Sequence, residues 1–183
     1  MHLNLVERAD LEQDKKQQAI FELAQDYLKA GILDRAESLF LELQTTPYSK
    51  AALDFLLELY QKEKDWLKAI DVTQRLTAVS GLPHGKEAAF FYCEMAAAEI
   101  SRQQMDAARV HLEQALEADP QSARASMMLG DMENASQHYA RAIETWQHIE
   151  QQGAQYLPLV AERLLQAYRQ TGRAATGITL LPG

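Results

Sequence analysis

Apolar residues recur along this chain at the three- and four-residue spacing of a helix face, interrupted at regular points by turn residues. Ile20, Leu23, Ala24, Tyr27 and Leu28 make one such stripe. Gly31 follows, a residue free to adopt the left-handed conformation that closes a helix. Asp34 then opens a second helix with Ala36, Leu39, Phe40 and Leu43 on its apolar face, and Pro47 ends it. The plan returns with Leu53, Leu56, Leu57 and Tyr60, a turn at residues 62–65, then Trp66, Ala69, Ile70, Thr73 and Leu76.

The copies keep register. Tyr27 to Tyr60 is 33 residues and Ala36 to Ala69 is also 33, so two landmarks share one offset. A third hairpin follows the loop-like stretch 80–87, with Tyr92, Met95, Ala96 and Ile100, then Ala108, Leu112 and Ala115 before Asp119-Pro120. A fourth has Met128, Leu129 and Gly130, then Ala142, Trp146 and Ile149, and Ala108 to Ala142 is 34 residues. A fifth begins after Pro158 with Ala161, Leu164, Leu165 and Tyr168, then Gly172. Gly177 and Leu181 match Ala36 and Phe40, which predicts a second helix cut short at Gly183. Glu99 and Glu133 stand where Tyr27 and Tyr60 stand, so the third and fourth copies depart from the pattern there.

A helical hairpin repeated at about 34 residues with these landmarks is the tetratricopeptide pattern. Small residues at Ala24, Ala36, Ala69, Ala96, Ala108, Gly130 and Ala142 let helices approach to about 8–10 Å, while aromatics fill the space between copies. The expected fold is all-α: a right-handed α-solenoid of about four full tetratricopeptide repeats and a truncated fifth. Residues 17–183 form one solenoid domain, with repeats at 17–49, 50–82, 89–122, 123–156 and, in part, 158–183. Residues 1–16 read as the end of a preceding repeat and a linker, with Asp10 as an N-cap.

In such a stack the first helices line a concave face. The landmarks place Phe21, Gln25, Leu28 and Lys29 there, then Asp54, Glu58, Gln61 and Lys62, then Phe90, Cys93, Ala97 and Ile100. Arg124, Met127, Asp131 and Asn134 follow from the fourth repeat, and Glu162, Gln166 and Arg169 from the fifth. Asp54 and Glu58 would repel a partner's C-terminal carboxylate, so a helix or folded partner suits this face better.

Charge sharpens this. A formal net charge of −8 with pI near 5.1 argues against nucleic acid or an anionic membrane as partner, and mainly keeps the chain soluble. Cys93 is the only cysteine, which excludes an intrachain disulfide and reads as a small packed residue. The histidines, His2, His84, His111, His138 and His148, make no metal-binding motif, and no nucleophile elbow or phosphate loop is present. The chain reads as a non-enzyme without cofactor or metal. Apolar runs such as 88–100 are too short to span a bilayer, which predicts a cytoplasmic chain without direct membrane insertion. Ile178, Leu180 and Leu181 would leave an apolar edge open to self-association.

Four stretches go beyond the repeat: QDYLKAGILDRAESLF (25–40), DWLKAIDVTQRL (65–76), FYCEMA (91–96) and SARASMMLG (122–130). They resemble the central cytoplasmic region of the lipopolysaccharide assembly protein B (LapB) family of Gram-negative bacteria. The resemblance implies a fragment of a parent with an N-terminal inner-membrane helix before the repeats and paired Cys-x-x-Cys motifs after them. It further implies an adaptor that brings a lipid A deacetylase to a membrane-bound ATP-dependent AAA protease. Two other readings fit the repeat: the helical part of an N-acetylglucosaminyltransferase-type protein, or an interaction module with an unrelated partner.

Overall fold

The computed structural model describes residues 2–172, and among them every regular element is helical. In order these are α1 (His2–Lys29), α2 (Leu33–Glu42), α3 (Ser49–Glu63), α4 (Trp66–Ser80), α5 (Gly85–Ser101), α6 (Met105–Ala118), α7 (Ala123–Ala135), α8 (Tyr139–Gln152) and α9 (Leu157–Gln170). One short 3-10 turn, Ala154–Tyr156, precedes α9. The chain divides into two compact units, Met1–His84 and Gly85–Gly183. The first holds hairpins α1–α2 and α3–α4; the second holds α5–α6, α7–α8 and α9.

The repeat is written into the turns. The turn inside each of the first four hairpins carries one residue with positive φ, Gly31 (76°), Lys64 (57°), Gln103 (61°) and Gln137 (64°), while Gly81 (71°) ends α4 and Gly172 (73°) follows α9. In the first four the landmark residue's carbonyl accepts a hydrogen bond from the amide five residues on. The pairs are Ile32 to Tyr27, Asp65 to Tyr60, Gln104 to Glu99 and His138 to Glu133, at 2.8–2.9 Å. This six-to-one bond closes the helix and needs a left-handed residue just before the donor. Glutamate in place of tyrosine leaves this backbone geometry intact. Asp65 and Ser122 then cap α4 and α7, accepting from the amides of Lys68 and Ala125.

The first unit packs on aromatics. Phe40, fully buried, stacks on Phe55 at 5.3 Å between centroids, and Phe21 meets both rings edge-on. Leu43, Ala52, Leu53, Leu56, Ala69 and Leu76 complete this core. The second unit packs on small residues in one cluster and around Trp146 in another. Ala89, Cys93, Ala96, Ala108, Leu112, Ala115, Ala125 and Met132 form one cluster, and Ala142, Trp146, Ile149, Val160, Leu164 and Tyr168 another. Gly130 admits Trp146, since a Cβ there would collide with the indole. Gly85 likewise abuts the carbonyl of Ala118.

Three local expectations change. Residues 2–16 are not a linker: α1 runs unbroken from His2, and Asp10 is an exposed residue inside it rather than a cap. Nothing in this Glu-, Gln- and Lys-rich segment breaks a helix. Leu23 is 45% exposed instead of lying on the buried stripe. Helix α2 ends at Glu42, and Pro47 stands in the turn beyond it. The second helix of the fifth repeat, with Gly177, Ile178, Leu180 and Leu181, lies outside the described residues.

Candidate functional site

The first helix of each hairpin carries the side chains expected to meet a partner. In the first unit, Lys29, Asp54, Glu58 and Lys62 are exposed. The charges of α3 pair along their own helix, Lys50 with Asp54 at 2.9 Å and Lys62 with Glu58 at 3.0 Å. Exposed pairs of this kind hold side chains only weakly, so a partner can take either charge. Gln25 is half-buried, and Phe21 is half-buried within the aromatic cluster. Leu28 differs: at 6% exposure it belongs to the core, one turn beyond Ala24 on the same stripe.

In the second unit the corresponding charges pair between helices. The Arg124 guanidinium on α7 reaches Glu94 of α5 at 2.6 Å and lies 5.2 Å from the centroid of Phe90. Two turns further along α7, Asp131 accepts from Arg163 of α9 through Nε at 2.7 Å and Nη2 at 3.3 Å. Helix α7 is therefore tied to a neighbour on each side. Met127 is half-buried against the α8–α9 core, and Arg169 is exposed. Cys93 is fully buried and burial pushes its thiol up, so it offers no ready thiolate.

Polar contacts between helices, which no motif announces, lie behind these faces. Tyr60 donates to Glu37 Oε1 at 2.7 Å, and Lys68 Nζ reaches the same oxygen at 3.0 Å. Burial opposes ionisation of Glu37, yet the bonds from Tyr60 and Lys68 hold its carboxyl below the ordinary value, while burial and Glu37 push the Tyr60 phenol up. In the second unit Glu133, 3% exposed, accepts from Arg109 Nε at 2.6 Å and lies 2.8 Å from His138 Nδ1. Burial again works against the carboxylate, and Arg109 and His138 outweigh it. Glu99 pairs with His111 Nδ1 at 2.8 Å. Only the shared landmark position of Tyr60, Glu99 and Glu133 could have drawn attention to this layer.

Among the described residues no group of three or more metal-ligating side chains converges, and no helix is long and apolar enough to cross a membrane. Charges held between helices, as at Arg124 and Asp131, can contribute to recognition of a partner by charge and shape.

No family model matches the chain. Among curated proteins it is similar to lipopolysaccharide assembly protein B of Escherichia coli (strain K12), at 36% identity over 176 residues. That alignment covers 96% of the chain but 45% of the relative, so the chain spans less than half of that protein's length. The protein of the same name from Haemophilus influenzae is 29% identical over 150 residues, covering 81% of this chain and 38% of its own. Among solved structures, a crystal structure of MamA protein superposes with TM-score 0.51 at 16% identity, over 91% of this chain and 88% of that one. This likeness is one of fold.

Proposed function

Because the chain is a tetratricopeptide-repeat protein similar to lipopolysaccharide assembly protein B along nearly its whole length, we propose that it is a non-enzymatic scaffold that binds protein partners through the inner faces of its helices. The observation that carries this reading is the 36% identity sustained over 96% of the chain. The charges of α3, α7 and α9 support it, because they remain accessible, and those of Arg124 and Asp131 on α7 are also held by pairing with neighbouring helices. In its finer form the parent protein is an inner-membrane adaptor on the cytoplasmic side, joining a lipid A deacetylase to a membrane-bound AAA protease. Residues Phe21, Gln25, Lys29, Asp54, Glu58, Lys62, Phe90, Arg124, Met127, Asp131 and Arg169 form the partner-facing set.

Affinity purification of the full-length parent, with and without D54K/E58K, tests this. Recovery of the deacetylase and the protease with the parent, reduced by the double variant, is the expected result. Recovery of neither overturns the adaptor reading.

A further inference from the structure

Between α7 and α9 the second unit holds a recess of about 360 Å³ lined by Asp131, Asn134, Trp146, Glu162, Arg163 and Gln166. It is large enough for one side chain with its flanking backbone. Its chemistry is uneven. The Asp131 carboxylate is already neutralised by the two-bonded Arg163, whereas Glu162 is exposed and has no ion-pair partner among the described residues. The uncompensated charge on the wall is therefore negative. Asn134 and Gln166 add amide groups, each able to donate and accept.

The floor supplies a second, independent observation. Trp146 is 1% exposed, yet its indole N–H has no hydrogen-bond acceptor. Burying an indole N–H without a partner carries a free-energy cost that most proteins avoid. Gly130 packs against the indole, where an added Cβ would collide with Nε1, so the helix backbone there leaves no room for an acceptor side chain. A carbonyl entering from the recess, with a small shift of the indole edge, would complete that bond. The site thus asks for a carbonyl acceptor below and a cation at the rim.

We infer that the recess between α7 and α9 is a subsite for an extended protein segment carrying a lysine or arginine, whose cation meets Glu162 while its main chain meets Asn134, Gln166 and the Trp146 indole. This rests on the scaffold reading and names the partner chemistry at one place on its surface. The overall charge of −8 favours approach of such a segment. A segment ending in a carboxylate, or an acidic one, is disfavoured by Glu162.

The test uses the full chain with W66F, which leaves Trp146 as the sole tryptophan reporter. Glycine/serine peptides of equal length bearing a central lysine, arginine, glutamate or serine are titrated at low salt. Trp146 emission and the side-chain amide resonances of Asn134 and Gln166 are followed. The lysine and arginine peptides should shift both signals saturably, and the glutamate peptide should not. E162K lies on an exposed rim and should weaken the basic peptides about fivefold, with a smaller loss for E162Q. Equal responses to basic and acidic peptides, no response to any peptide, or unchanged affinity in E162K would overturn the subsite. If the parent still recovers its partners while E162K changes nothing, the scaffold stands and only this subsite falls.

Discussion

The two units solve one packing problem with opposite chemistry. Tyr60 and Glu133 hold the same place in their first helices, and Glu37 and Arg109 each follow the small residue of the preceding second helix. In the first unit tyrosine donates to glutamate; in the second, arginine donates to glutamate, with the carboxylate now on the other helix. Donor and acceptor have changed sides while the geometry is kept. A buried neutral donor tolerates loss of its partner, whereas a buried charge does not. The second unit therefore has more to lose at this contact. Elsewhere the ranking reverses, because the first unit concentrates its packing in a few large rings.

Perturbations ranked by expected effect can break or sharpen this contrast. F40A removes the ring at the centre of the first unit's cluster and should cost about 3–5 kcal/mol, read as a lower denaturation midpoint. E133Q keeps shape but removes charge from the Arg109 and His138 contacts, and should cost about 2 kcal/mol by the same measurement. Y60F, which deletes only a hydroxyl, should cost about 1 kcal/mol; an equal cost for the two would erase the distinction drawn above.

The acid limb provides a further discriminator. Glu37 and Glu133 titrate lower in the folded chain than at their ordinary value of 4.5. Their contribution to stability is therefore complete above that pH and is lost as pH falls through their folded values. E133Q should flatten the stability profile below about pH 4.5, since half of this carboxyl pair no longer titrates. The smallest effect belongs to the turns: Q103G relieves a left-handed non-glycine residue and should stabilise by about 0.5–1 kcal/mol, whereas Gly31 already has this benefit.

Helical periodicity, Gly31, the 62–65 turn and Pro158 made the hairpins and their register legible before any coordinates. These signals are local, and local signals survive in one dimension. Three things did not. The charged stretch before Ala19 resembles a linker in composition, but it continues α1 because nothing in it interrupts a helix. Leu23 and Leu28 are five residues apart, and an apolar side chain at each said nothing about which would be buried. Glu133 looked like a lapse from the repeat, since Arg109 lies 24 residues away and only folding brings them together. The inner-face residues were placed from register alone, and Arg124 and Asp131 gave no hint that each would be bonded to a neighbouring helix.

Helix α1 has one further consequence. Its 28 residues span about 42 Å at 1.5 Å per residue, yet every residue from Asn4 to Lys16 is exposed, and burial begins only near Gln17. A solvated stretch of that length is marginal as a helix by itself and persists here because the packed half has already supplied the nucleus. One continuous rod should thus carry a graded clock: amide protons exchange fastest at its start and slow steadily toward Ala24, with no boundary visible in its shape.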